Sequence, residues 1–190
     1  MLYKPAYLSR QQQETHLPRQ WYFDDASMVH WVRSIVIKVE PGLDKDVLAG
    51  FVFRSARIQH GGMSTYDYTI ILAGNLTEQA ERFVAIKELM HCYFDPEKVE
   101  YATDTAVALE NHMRQMFDES GSGKRSLHVQ ADGMALWMAL GVICPAHIRD
   151  GYIAGGIMAR DVAKELNIPV KQAQNLLSDR FDIEISQILN

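Results

Sequence analysis

The hydrophobic period of the chain changes at Gly74-Asn75, and this change constrains the fold more than any other feature. Downstream of it, apolar residues recur at intervals of three and four, which predicts an amphipathic helix over residues 76–94. The apolar positions are Ala80, Phe83, Val84, Ile86, Leu89, Met90 and Tyr93. Either Asn75 or Thr77 is suited to cap the start of this helix, and Asp95-Pro96 is suited to end it.

Upstream of the same point, three segments have the β-branched and aromatic content of strands. They are residues 34–40, 48–58 and 66–73. A short helix is predicted before them at residues 25–32, and the polar composition of residues 1–22 predicts an extended N-terminal arm. We therefore expect an α+β fold in which a small antiparallel or mixed sheet packs against the helix at residues 76–94.

The chain beyond residue 96 is predicted to be mainly helical. Its two long helical patterns are residues 97–119 and 126–143, and its two short ones are residues 156–166 and 170–180. A flexible Gly/Ser link at residues 120–125 joins the long pair. Residues 167–169 join the short pair at a spacing that is typical of a helix-turn-helix unit.

Composition narrows the class of protein. With 190 residues and 47% hydrophobic content, the chain can bury the core of one domain. Its longest apolar run, residues 134–144, is shorter than the roughly 20 residues of a membrane-spanning helix, and the N-terminus lacks a secretory signal. We therefore expect a cytoplasmic protein with no membrane partner. Cys92 and Cys144 lie in apolar helical patterns, which predicts reduced, packed thiols.

The helix predicted at residues 76–94 contains a segment close to a metallopeptidase signature. In the intact signature, His-Glu-x-x-His, two histidines one helical turn apart bind zinc, and the glutamate activates the zinc-bound water as general base. Here the segment is Lys87-Glu88-Leu-Met-His91, so a lysine replaces the first histidine. Because Glu-x-x-His alone often arises by chance on amphipathic helices, the surrounding residues decide its meaning.

Three groups of residues together resemble the ImmA/IrrE family of zinc peptidases. The family shows a strand followed by Arg-Phe-x-x-Ala-His-Glu-x-x-His, and the matching positions here are Thr69-Ile-Ile-Leu72, Asn75, Arg82-Phe83, Ala85 and His91. Residues 132–145 are similar to the family's Glu-x-x-Ala-x-x-Phe-Ala-x-x-Leu-Leu-Met-Pro, and residues 161–170 to its Ile-Ala-x-x-Phe-x-Val-Ser. The three matches follow the family's order over roughly residues 66–180.

The resemblance implies a zincin-like fold, in which a small sheet packs on an active-site helix and a helical part resembling a helix-turn-helix follows. It implies a peptidase-fold domain at residues 23–150 and a C-terminal segment at residues 151–190. Glu88 would be the general base, and His91 and Asp132 would be zinc ligands, with Asp132 replacing the family's glutamate. Members typically cleave a helix-turn-helix repressor, often in mobile elements or phages or in stress responses, which implies such a repressor as the partner.

Lys87 argues against a working zinc site, because an ammonium group has donors but no lone pair and would repel a dication. Asp132 is also one methylene shorter than glutamate, which reduces its reach toward His91. We expect the Lys87 ammonium to pair with Glu88, Asp132 or both in place of the metal. The hypothesis is a catalytically degenerate, peptidase-like protein that binds a protein partner without cutting it. It needs no cofactor, and zinc is the metal to test for.

One alternative is an active peptidase with a rearranged site. His128 lies four residues before Asp132 and shares its helical face if the helix begins by residue 126. Those two side chains and His91 would then bind zinc, and Glu88 would lie beside the bound water.

A second alternative is a DNA-binding regulator that uses the last helical pair. Polar side chains suited to base edges cluster at the start of its second helix, namely Lys171, Gln172, Gln174 and Asn175. The charge disfavours nucleic acid as a partner, because residues 149–190 carry five basic and six acidic residues and the whole chain has a net charge of −5. A helical cap with a structural role is the simpler interpretation.

Overall fold

The computed structural model describes residues 2–13, 16–58, 64–99 and 127–190, and a three-stranded sheet lies at the centre of this part. The strands are β1 (Val32–Glu40), β2 (Gly50–Ile58) and β3 (Ser64–Ala73). Their order is β1-β3-β2, with β1 parallel and β2 antiparallel to β3. The three predicted strands and the α+β class with a small mixed sheet are confirmed.

The helix after the sheet is α3 (Glu78–Leu89), which continues as a short 3-10 helix, Met90–Tyr93. It confirms the helix predicted at residues 76–94, and Thr77 is the capping residue, because its hydroxyl accepts a hydrogen bond from the Ala80 N–H at 3.3 Å. Alternate side chains of β3 and one face of α3 share the main core. They are Tyr68, Ile70 and Leu72 on the strand and Phe83, Ile86 and Leu89 on the helix.

The next described helix is α4 (Leu127–Ile143), which confirms the helix predicted at residues 126–143 and stops before Pro145. Its Met138, Leu140 and Ile143 side chains are buried in the main core. The predicted link at residues 120–125 lies outside the described residues, as does the helix predicted at residues 97–119 from residue 100 onward.

The prediction of an extended arm at residues 1–22 is wrong. The described residues of this range include α1 (Tyr3–Gln11) and the start of α2 (Arg19–Ser27), and α2 lies earlier than the helix predicted at residues 25–32. The composition of α1 is polar, so the sequence does not indicate that a few of its side chains are buried in the core. Tyr3 is one of them, fully buried, and its hydroxyl donates to the Met138 carbonyl of α4 at 2.8 Å.

Four helices follow in the C-terminal part. They are α5 (Ala146–Ala154), α6 (Ala159–Leu166), α7 (Val170–Leu176) and α8 (Asp179–Leu189). The pattern at residues 156–166 matches α6, whereas the pattern at residues 170–180 runs across the break between α7 and α8, and α5 and α8 are not predicted. Asn167 makes the turn between α6 and α7 with a left-handed φ of 51°.

The interpretation of both cysteines as packed, reduced thiols is confirmed, since Cys92 and Cys144 are free and buried. Within the described ranges, no single helix has the length and apolar content to cross a membrane. Residues 130–154 of α4 and α5 reach that length and apolarity only as a pair, with a bend of 81° between them.

Candidate functional site

The candidate site is built on α3, which packs closely against the sheet at Gly50. Gly50 at the start of β2 permits this approach, because a Cβ atom there would lie 2.5 Å from Val84 Cγ1 of α3 and 3.0 Å from the Ile71 carbonyl oxygen. The close packing fixes the height and rotation of α3. At the C-terminal end of α3, the Lys87 side chain contacts Asp132 of α4, and the side chains of Lys87 and Glu88 are largely or fully buried.

Lys87 lies at the centre of a group of ionisable side chains. Its Nζ donates to Glu88 Oε1 at 2.9 Å and to Asp132 Oδ1 of α4 at a short distance. Only 14% of the Lys87 side chain and 1% of the Glu88 side chain are exposed, whereas Asp132 is half exposed. The prediction that the ammonium pairs with Glu88, Asp132 or both is confirmed, and it pairs with both, although 45 residues separate Lys87 from Asp132 in sequence.

His91 completes the group, which we call the Lys87 cluster (Lys87, Glu88, His91 and Asp132). Its Nε2 atom lies 3.6 Å from Glu88 Oε2 and 3.6 Å from Asp132 Oδ1. These separations are longer than a hydrogen bond but short enough for strong electrostatic coupling in a buried site. The imidazole is 1% exposed and packs against the Phe94 ring at 5.7 Å between centroids.

The charges of the Lys87 cluster stabilise one another. Burial alone would lower the pKa of Lys87, but the Glu88 and Asp132 carboxylates outweigh it and raise this pKa above its usual value. Burial would raise the pKa of Asp132, yet Lys87 and His91 hold it well below its usual range. The lysine is therefore a cation at neutral pH and cannot act as a nucleophile or a metal ligand in this arrangement.

Three members of the Lys87 cluster could hold a metal ion. One ligand atom each from Glu88, His91 and Asp132 lies within 4.8 Å of the others. Zinc binds nitrogen and oxygen at about 2 Å, so the atoms that share one ion lie at most about 4 Å apart, and small movements would close this set around an ion. The donors therefore suit zinc, but Lys87 does not, because its ammonium binds one oxygen of each carboxylate and would repel a dication beside it.

Residues far away in sequence anchor the 3-10 helix that carries His91. The Trp31 indole N–H donates to the Cys92 carbonyl at 2.8 Å, the Leu2 N–H donates to the Tyr93 carbonyl at 3.3 Å, and the Tyr93 hydroxyl donates to Asp25. These contacts could not be predicted from the sequence, because no local pattern connects Leu2, Asp25 or Trp31 with the residues around His91. They fix the turn that brings the imidazole back over Glu88.

The alternative sites receive less support from the structure. His128 belongs to α4, as its alternative role requires, but its side chain lies outside the described part of the chain, so its role as a ligand stays a prediction. Lys171 and Gln174 are exposed on α7, while Asn175 Nδ2 donates to Gln172 Oε1 at 3.0 Å. These four residues lie on a different element from the Lys87 cluster.

Comparison of the chain with protein-family models, with characterised proteins and with solved structures finds no match.

Proposed function

We propose that this chain is a degenerate relative of the ImmA/IrrE peptidases, in which the Lys87 ammonium takes the role of the zinc ion, and that it binds a protein partner without cutting it. The observation that carries the proposal is the position of Lys87 Nζ between the carboxylates of Glu88 and Asp132. A single positive charge there neutralises groups that a dication would neutralise in an active enzyme, but it provides no Lewis acid and no bound water to activate.

The arrangement of elements supports a zincin-like interpretation of the fold. The order sheet, signature helix and second ligand helix is the order that the family patterns imply, and α3 packs against the sheet while α4 brings Asp132 to it. In the same interpretation, α6 and α7 form the closing unit that resembles a helix-turn-helix. A cytoplasmic helix-turn-helix repressor is then the partner class to test.

Metal content separates the proposal from the active-peptidase alternative. We expect wild-type protein to purify without stoichiometric zinc, and Lys87→His to bind about one zinc per chain, because the imidazole supplies the missing lone pair. The measurements are elemental analysis and the zinc-dependent rise in melting temperature. Lys98→His is the matched control, since Lys98 is 80% exposed and lies outside the cluster, and it should gain no zinc.

Partner binding is tested with a purified helix-turn-helix repressor from the same genome. The expected result is a complex on size-exclusion chromatography in which both chains remain intact. Stoichiometric zinc in the wild type, together with repressor cleavage that Glu88→Gln abolishes, would overturn the proposal in favour of the rearranged site with His128. Absence of any complex would remove the repressor as the partner.

A DNA-binding role is the second candidate function, favoured by the geometry of α6 and α7. Six apolar positions of the pair are buried, whereas Val170 at the start of α7 is 46% exposed. The buried six are Val162, Ala163, Leu166, Ile168, Ala173 and Leu176. The exposed Lys171 and Gln174 are free to face a groove. If DNA is the partner, affinity will fall steeply with salt and Lys171→Ala will reduce the salt slope by about one. Salt-independent or undetectable binding excludes this candidate.

A further inference from the structure

The outer edge of β1 offers backbone groups for another strand. In the described part of the chain, β1 pairs with β3 on one side, and no strand pairs with its other side. The strand is nine residues long, and Val36 and Val39 are 44% and 53% exposed. An open edge of this length is a template for an extended segment, because its N–H and C=O groups already have the spacing of a ladder.

A groove with both polar and apolar walls lies beside the same edge, with a volume of about 360 Å³. Its walls come from the first turns of α2 and the middle of β1, namely Arg19, Gln20, Phe23, Ile35, Val36 and Ile37. Ile35 and Ile37 pair with Tyr68 and Ile70 of β3, so they lie on the face of the sheet that α2 and α3 cover. A strand added to β1 would direct alternate side chains into this groove, beside Ile35 and Ile37 and beneath Phe23.

Two basic side chains of β1 lie next to the groove. Arg33 and Lys38 bracket the apolar residues 35–37, and the strand has no carboxylate before Glu40. The Arg33 guanidinium donates to Asp67 at 2.8 Å, which partly neutralises it, whereas no described carboxylate lies within salt-bridge distance of the exposed Lys38. An incoming segment with acidic side chains would therefore find an uncompensated positive charge at this edge.

These features favour a segment of another protein over a second copy of this chain. Antiparallel pairing of two β1 strands about a twofold axis would bring two α2 helices to the same face of the joined sheet, into the space that the groove leaves for side chains. It would also bring two copies of the same basic edge together. A single extended acidic segment would avoid both the crowding of two α2 helices and the repulsion between two basic edges.

We propose that β1 binds an extended segment of a partner protein by strand addition, with aliphatic side chains in the groove and acidic side chains near Lys38. This surface goes beyond the proposed function, because it does not depend on the Lys87 cluster or on kinship with any peptidase. The main-chain ladder supplies affinity, and the groove and the charge supply selectivity.

The test uses the full chain and a fluorescent ten-residue peptide in which valine alternates with glutamate and threonine. We expect saturable binding by fluorescence anisotropy and shifts of the backbone amide signals of residues 32–40 in nuclear magnetic resonance spectra. Lys38→Glu should weaken binding about threefold to tenfold, because it turns an attraction into a repulsion at an exposed site. The control Lys98→Glu, which changes an exposed lysine outside this edge, should leave binding unchanged.

Two further peptides test the strand geometry itself. In an extended peptide, alternate backbone N–H groups point to opposite edges of the strand. One peptide carries N-methyl groups on all the amides that point to one edge, and the other peptide carries them on all the amides that point to the opposite edge. Because only one edge of an added strand can pair with β1, one peptide should lose binding and the other should keep it. Equal behaviour of the two peptides, equal affinity of Lys38→Glu and Lys98→Glu, or amide shifts outside β1 and α2 would each overturn the proposal. Self-association through β1 that excludes the peptide would overturn it as well.

Discussion

Two kinds of buried cation hold this molecule together, and they differ in what surrounds them. Lys87 has carboxylates as partners, both supplied by side chains on α3 and α4. Arg10 on α1, 1% exposed, has main-chain partners: its guanidinium donates to the carbonyls of Val142 at 2.7 Å and Ile143 at 3.2 Å. The first cation balances charge, whereas the second satisfies the open carbonyls at the C-terminus of α4.

The arginine arrangement recurs in the molecule. Arg82 donates to the Leu166 carbonyl at the end of α6 at 3.2 Å, and Arg149 donates to the Leu176 carbonyl at the end of α7 at 2.6 Å. In each case a buried guanidinium from one element closes the end of another. The three arginines therefore stabilise the fold by satisfying main-chain carbonyls at helix ends. Lys87 instead neutralises side-chain carboxylates, and no helix end in the described part of the chain depends on it for a donor.

The largest effect is expected from Lys87→Met. Without the ammonium, the fully buried Glu88 carboxylate faces Asp132 with only the His91 imidazole beside them, and the free energy of unfolding should fall by about 3 to 5 kcal/mol. Urea denaturation at neutral pH measures this loss. Since the cause is uncompensated charge, adding Glu88→Gln and Asp132→Asn to the same chain should recover most of it. If the triple variant recovered no unfolding free energy, Lys87 would not act by balancing the charge of the two carboxylates, and it would not differ from Arg10 in that respect.

Arg10→Met is expected to have the next largest effect. The carbonyls of Val142 and Ile143 lose their donor in a buried place, which should cost about 2 to 4 kcal/mol of unfolding free energy. Arg160→Met is the matched control, because this arginine is 70% exposed and its loss should change stability by less than about 0.5 kcal/mol. An Arg10→Met protein as stable as the control would show that α4 does not need this cap.

The smallest effect concerns pH. Lys87 holds the pKa of Asp132 well below its usual range, so the contribution of this pair is complete above the unfolded pKa and is lost progressively as the pH falls from there toward the lower folded pKa. Between about pH 5 and pH 3, wild-type protein should lose about 1 kcal/mol more stability than Asp132→Asn, a value reduced for solvent screening because the carboxylate is half exposed.

The Arg10→Met protein supplies the comparison for the pH experiment. A guanidinium does not titrate in this range, so the variant should keep the wild-type slope of stability against pH although its absolute stability is lower. Parallel curves for wild type and Asp132→Asn would contradict the ion pair that defines the Lys87 cluster.

Several features could be predicted because their causes are local. The period of three and four residues predicts α3, Thr77 is one of the two residues suited to cap it, and β-branched runs predict the strands. The convergence of Lys87 and Asp132 is a longer inference. It follows from the order of three sequence patterns, and the distance between the two side chains agrees with it.

Other features could not be predicted, because their causes lie elsewhere in the chain. Residues 1–22 look like a polar arm, since nothing nearby reveals that Arg10 will meet the end of a helix 132 residues away. The break between α7 and α8 is similarly hidden. Arg149 donates both to Asp182 of α8, at 2.9 Å, and to the Leu176 carbonyl at the end of α7. These two contacts stabilise two short helices where the sequence pattern predicts one.

By itself, the sequence determines which residues can form helices and strands, and it places a lysine at the first position of the segment Lys87-Glu88-Leu-Met-His91, which resembles a metallopeptidase signature. Periodicity and side-chain chemistry are properties of neighbouring residues, so they need no tertiary information. Only the tertiary structure decides that Lys87 Nζ lies between two carboxylates and that a groove flanks the open edge of β1. Both depend on how separate elements pack, and packing is set by contacts between residues that are distant in the chain.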